Sequence, residues 1–204
     1  IDAELTQIEK QVTKEYFEKE LKLYQKEAEQ MEKVFEVETP DPILNIQVNT
    51  WLKRQITLGK TWGRVYGKGF RDVMQDVSAF VSLDSSLARE RILHTLRYQK
   101  KDGNTIRQFD PVFDYPYRDG ASWIPATILS YLKESNDASI LKEKVAYYDD
   151  EKEEIVLEHM LKGLDFLLNQ KGEHHLTLWG GGDWNDSLNN CGRKGKGESV
   201  WLSI

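Results

Sequence analysis

Cysteine is nearly missing from this chain. Cys191 is the single example among 204 residues, so no disulfide can form within it, which fits a reducing, cytoplasmic setting. Surplus positive charge is missing as well: 28 Lys and Arg stand against 34 Asp and Glu, a formal net charge of −6. A nucleic-acid-binding face would need the opposite balance. No apolar run approaches the roughly 18–20 residues that cross a bilayer, so no segment reads as a membrane helix, and no signal peptide is visible. Metal ligation is thinly provided for. His174 and His175 are adjacent and point apart, and no Cys/His spacing suggests zinc. Gly195-Lys196-Gly197-Glu198-Ser199 lacks the glycine spacing and the preceding strand of a phosphate loop, and no nucleophile elbow occurs. The expectation is a protein with no metal, no cofactor, and neither nucleic acid nor membrane as a partner.

The chain begins at Ile1 rather than methionine. It ends at Ile204, directly after a Gly- and Trp-rich stretch of a kind that normally lies inside a domain. It is therefore expected to be a fragment of something larger. Sustained alternation of apolar and polar residues is scarce, and no repeat of solenoid length is evident. What is abundant is helical periodicity. Over residues 2 to 35, Leu5, Ile8, Val12, Tyr16, Leu23, Met31 and Phe35 recur loosely among many Lys and Glu. So narrow a stripe suits a surface or bridging helix. Thr39-Pro40-Asp41-Pro42 ends it, because proline cannot continue a helix, and a domain boundary is placed there.

Beyond the boundary the pattern predicts helices over 43–58, 70–83, 87–98, 123–132 and 153–168. Phe70, Val73, Met74, Val77, Phe80 and Val81 form one apolar face, and Asp84, Ser85 or Ser86 offers an N-cap to the next helix. The connections at 61–69, 103–120 and 172–197 are long enough to be functional. The predicted class is all-α, with helices in a ring and loops at one mouth. The chain's 6 Trp and 9 Tyr serve core packing first and sugar stacking as the alternative.

Three stretches could carry chemistry. Trp179-Gly180-Gly181-Gly182-Asp183-Trp184-Asn185-Asp186 sets two carboxylates and an indole after three glycines, which let backbone approach a ligand closely. Acids and flat rings are the usual tools for sugars, although a Gly-rich turn with Asp183 or Asp186 capping a helix would look the same. Gly69-Phe70-Arg71-Asp72-Val73-Met74-Gln75-Asp76 puts Asp72 and Asp76 one helical turn apart beside Arg71. Bracketed by apolar residues, this polar stripe either pairs with neighbouring helices or lines a pocket. Third, Gln108-Phe109-Asp110 through Tyr117-Arg118-Asp119-Gly120 to Trp123 mixes acids and aromatics in a loop, where binding residues concentrate.

Gly182-Asp183-Trp184-Asn185-Asp186, followed by Gly195-Lys196-Gly197-Glu198-Ser199-Val200-Trp201-Leu202, resembles the catalytic segment of glycoside hydrolase family 94, the cellobiose, chitobiose and β-glucan phosphorylases. Gly69 to Asp76 resembles the family's substrate-binding helix, and Thr39-Pro40-Asp41 to Gln55 the start of its barrel. The resemblance implies a partial (α/α)6 barrel over 39–204, preceded by a charged linker helix over 1–38. It implies a glycosyltransferase reaction, inverting phosphorolysis of a cellobiose-like disaccharide or β-gluco-oligosaccharide to α-glucose 1-phosphate. Inorganic phosphate would be the co-substrate and the complete enzyme a homodimer. Asp186 is the implied general acid; Arg71, Asp76 and Trp184, with Asp72 and Asp119, are the implied substrate-binding residues. Only the resemblance selects Asp186 over Asp183. The family's phosphate-binding residues lie outside this stretch, so the fragment itself is expected to be inactive. An inverting hydrolase, or a non-catalytic glucan-binding or assembly module of a glucan synthase, are the rival readings. Arg118 and Gly120 flank a single acid where better-known members carry paired acids, which points to a different acceptor sugar.

Overall fold

A computed structural model of the chain describes residues 13–62 and 67–204. The chain divides into two units, Ile1–Gln55 and Ile56–Ile204.

In the first unit, α1 (Lys14–Glu32) has no buried residue, as its narrow apolar stripe foretells. The earlier part of the expected helix, residues 2–12, lies outside the described residues. Thr13 caps α1 by accepting the Tyr16 N–H at 3.2 Å. The helix stops at Glu32, short of the expected residue 35. Lys53 accounts for this: its ammonium donates to the carbonyl of Glu32 at 2.7 Å and to that of Phe35, supplying a cation at a helix C-terminus. Asn49 and Asn45 then each bond both the N–H and the C=O of Val37 and Thr39. Asp41 caps α2 (Pro42–Ile46), with Pro42 in its first turn. The single helix expected over 43–58 is three consecutive stretches: α2, a π-helical turn at Gln47–Leu52, and α3 (Lys53–Trp62).

The second unit is built around α4 (Phe70–Phe80). All six apolar residues predicted to share its face are buried. They meet Ile92 and Leu96 of α5 (Ser85–Leu96) and Ile124 and Ile128 of α6 (Asp119–Ser135) in one core. Each such side chain contributes roughly 1.5–3 kcal/mol on burial. Of the three cap candidates the structure uses Asp84, which accepts the Leu87 N–H at 2.9 Å. Helix α6 starts four residues before the predicted 123, because Asp119, Gly120 and Ala121 are already buried in its first turn. It ends on Asn136 in the left-handed conformation, φ 54°. Helix α7 (Val156–Leu168) packs on α6.

The helix expected from 153 begins at Val156 because residues 150–155 form a strand instead. Strand β4 (Asp150–Ile155) pairs antiparallel with β3 (Lys144–Tyr147), whose Val145 and Tyr147 are buried. Two shorter antiparallel pairs tie the long loops: β1 (Lys68–Gly69) with β2 (Gln108–Phe109), and β5 (Thr177–Leu178) with β6 (Glu198–Ser199). The class remains mainly helical. Among the described residues no helix is long and apolar enough to cross a membrane.

Glu154 staples the β3–β4 hairpin to α7. It accepts from Lys162 at 2.6 Å, Tyr147 Oη at 2.8 Å and Lys152 at 3.2 Å. Lys162 first, then Tyr147, hold its carboxyl down from the usual 4.5 to about 2. A depressed carboxyl adds stability that is complete above the unfolded-state value and lost as pH falls toward the folded one. Glu154→Gln should therefore flatten the fall of the urea midpoint between pH 4.5 and 2. An unchanged slope would show that the staple does not form in solution.

Candidate active site

Arg71 sits in the first turn of α4, where its neighbour Phe70 donates its N–H to the Arg107 carbonyl at 3.2 Å. That bond, with the β1–β2 pair, brings the 103–118 loop to the start of the helix. The Arg71 side chain is 9% exposed. A guanidinium so buried is costly unless it is paired, and here both of its terminal nitrogens find acceptors. Nη1 donates to Asp119 Oδ2 at 3.0 Å, to the Asp183 carbonyl at 3.0 Å and to the Trp184 carbonyl at 3.3 Å. Nη2 donates to Asp186 Oδ2 at 2.7 Å. One side chain thus gathers the start of α6 and the whole Asp183–Asp186 turn. The polar stripe on α4 pairs across the fold, one of the two outcomes its sequence allows. Burial works against the Arg71 charge, but Asp119 and Asp186 outweigh it and raise the guanidinium's pKa further. Burial also pushes the Asp119 carboxyl above the usual range, against the pull of Arg71.

The structure separates two acids that spacing alone leaves equivalent. Asp183 is 2% exposed; its Oδ2 accepts the Ser199 hydroxyl at 2.6 Å and its Oδ1 the Asn185 N–H at 2.7 Å. It holds the turn together. Asp186, at 53% exposure, faces solvent from the start of a 3₁₀ turn, Asp186–Gly192, with Arg71 Nη2 on its Oδ2. Ser199→Ala should leave an Asp183 oxygen buried without its donor and destabilise the fold by about 1–3 kcal/mol, read as a lower urea midpoint. An unmoved midpoint would mean that Asp183 does not organise the turn.

Beside Asp186 the Trp184 ring is half exposed and stacks on Trp201, centroids 6.3 Å apart and planes at 20°, while Trp201 leans on Trp123 at 5.7 Å. The three glycines before Asp183 serve a different partner from the expected ligand. Gly180 is left-handed, φ 61°, and a Cβ there would lie 2.1 Å from Arg118 Nε; one at Gly181 would lie 2.6 Å from the Pro116 carbonyl. They admit the 116–118 loop, whose Arg118 N–H donates to the Gly182 carbonyl at 3.1 Å.

Of the sequence-predicted residues, the Asp119 and Asp186 side chains and the Trp184 backbone carbonyl thus converge on the Arg71 guanidinium. Asp72 joins them through Arg107, whose Nη1 lies 4.0 Å from Asp72 Oδ2 and whose Nη2 lies 3.9 Å from Asp186 Oδ2. Asp76, one turn along α4, lies against Gly59 of α3. Tyr117 and Ser199, which fall inside the marked stretches without a role of their own, belong to the constellation, and so does Arg107, which lies just before the third stretch. Arg107 sits in an irregular stretch after the Lys101-Asp102 turn, with no periodicity to mark it. Among the described residues no group of three or more His, Cys, Asp or Glu is arranged for a metal ion.

Taken together, a mainly helical scaffold presents an accessible carboxylate and a half-exposed indole two residues apart on one turn. Residues 28–204 match the model of the glycosyl hydrolase 94 superfamily, catalytic domain, and the chain belongs to that family. It is 46% identical over 168 residues to solabiose phosphorylase of Paenibacillus borealis, a match covering 82% of this chain and 22% of that protein. It is 31% identical over 180 residues to cellobionic acid phosphorylase of Neurospora crassa, covering 82% and 22%. Similarity extends to cyclic beta-(1,2)-glucan synthase NdvB of Rhizobium meliloti, 33% identical over 196 residues, covering 83% of this chain and 7% of the other. The chain therefore spans about a fifth of the length of these phosphorylases.

Proposed function

We propose that this chain is part of the catalytic barrel of an inverting β-glucoside phosphorylase. The enzyme splits a cellobiose-like disaccharide or β-gluco-oligosaccharide with inorganic phosphate, giving α-glucose 1-phosphate. The observation that carries this reading is the exposed Asp186 carboxylate, held 2.7 Å from Arg71 Nη2, with the half-exposed Trp184 ring two residues before it. The names of the phosphorylase relatives support the reaction class.

In this reading Asp186 gives its proton to the glycosidic oxygen as that bond breaks. Phosphate attacks the anomeric carbon from the opposite face, which inverts it. Being an anion already, phosphate needs no second carboxylate to activate it, only donors that position it; these belong to parts of the enzyme beyond this stretch. Asp186 meets Arg71 at 2.7 Å, so productive binding calls for the glucosyl unit to take over that Arg71 donor. Trp184 supplies a flat face to the ring, Asp72 and Asp76 supply acceptors, and buried Asp119 acts through Arg71 by fixing its orientation.

Leu157, Leu161, Leu164 and Leu168 form an exposed stripe along α7. Such a face calls for further helices to cover it, which supports a partial (α/α)6 barrel over 39–204 with a linker helix before it. Residues 1–204 alone are then inactive. A cytoplasmic homodimer is the assembly we infer, in keeping with the exposed free thiol of Cys191.

The test is to incubate the protein, at its full natural length, with a panel of β-linked glucosides with and without inorganic phosphate. Glucose 1-phosphate should form only with phosphate. Free glucose released equally in its absence would make the enzyme a hydrolase. No release from any sugar would favour a binding or assembly role instead.

A further inference from the structure

Arg107 is the cation that the chemistry above leaves without a task. Its guanidinium lies over the Tyr117 ring at 4.6 Å, and Asn189 anchors the Tyr117 hydroxyl. The Arg107 side chain is only 22% exposed. Its two carboxylate neighbours, Asp72 at 4.0 Å and Asp186 at 3.9 Å, are beyond hydrogen-bond length. Among the described residues its guanidinium donates no hydrogen bond. A fork of five donors, stacked in place by an aromatic face and left unfilled beside the acid, is shaped for a ligand. Arg71 contrasts with it, since four acceptors already surround that side chain.

We propose that Arg107 donates hydrogen bonds to hydroxyl groups of the leaving sugar, the one beyond the bond being broken, and so helps to select the acceptor in the reverse reaction. The assignment rests on Asp186 being the acid. A proton-donating carboxyl group must reach the glycosidic oxygen, which belongs to the leaving sugar. In an inverting displacement phosphate stands on the opposite side of the anomeric carbon. A guanidinium 3.9 Å from the Asp186 oxygen therefore lies on the leaving side and not at the phosphate.

The experiment is steady-state synthesis from α-glucose 1-phosphate and an acceptor sugar by the full-length enzyme. Arg107→Ala should raise the acceptor KM about 10- to 100-fold, the loss of charged hydrogen bonds, while the KM for glucose 1-phosphate stays put. Arg107→Lys keeps the cation without the fork; it should raise the acceptor KM by less and still spare the donor KM, which separates the effect from misfolding. Equal rises in both KM values would overturn the assignment, as would a fall in kcat with neither KM changed. An unsubstituted enzyme that makes no glycosidic bond from glucose 1-phosphate would overturn the phosphorylase reading itself, and this assignment with it.

Discussion

Asp186→Asn is expected to cut phosphorolysis by about 10²–10⁴-fold, the usual worth of a positioned general acid, with the fold intact. The amide keeps the shape of the side chain and an oxygen to accept from Arg71 Nη2, which now lies 2.7 Å from the carboxylate. It has no acidic proton to transfer to a departing glycosidic oxygen. The position is half exposed, so losing its charge costs little stability. Asp183→Asn should behave in the opposite way, because that acid is buried and fully engaged by Ser199 and the Asn185 N–H. Measuring kcat and the urea midpoint for both variants separates the two roles. A catalytically normal Asp186→Asn enzyme would move the acid elsewhere.

Arg71→Ala is expected to destabilise the protein by about 3–5 kcal/mol, because removing one partner of a buried pair strands the other. The stranded groups are Asp119, 2% exposed, and the carbonyls of Asp183 and Trp184. Burial already raises the Asp119 pKa against the pull of Arg71; without Arg71, Asp119 should take up a proton more readily still. Adding Asp119→Ala to Arg71→Ala should then cost less than the two single losses summed. Equilibrium unfolding in urea reads each corner of this cycle. Simple additivity would contradict a working Arg71–Asp119 pair, and so would a single-site loss below about 1 kcal/mol, the scale of an exposed pair.

Helix α4 was legible in the sequence because its period and its burial agree: Phe70, Met74, Val77 and Phe80 recur as a helix demands, and all are buried. The β3–β4 hairpin was not. Its outer face reads as a charge run, Asp150 to Glu154, and only Val145 and Tyr147 mark the inner one. Two buried positions give too short an alternation to register. At the site, residue types announced Arg71 and the Asp183–Asp186 turn, and family resemblance chose the second acid. Nothing in the spacing could show that Asp183 would be consumed by Ser199, 16 residues away. Arg107 stayed hidden for a similar reason, since its place follows from the β1–β2 pairing and a bond to the Phe70 N–H. Both are long-range facts, settled only when the loops are brought together.

The central claim is that one acid and an incoming phosphate act on opposite faces of the sugar. The most direct measurement is the anomeric configuration of the first sugar phosphate, followed by NMR while the full-length enzyme turns over a β-linked disaccharide in phosphate. The account predicts α-glucose 1-phosphate as the initial product, absent without phosphate and nearly absent with Asp186→Asn. An initial β-phosphate, or free glucose appearing at the same rate without phosphate, would contradict it.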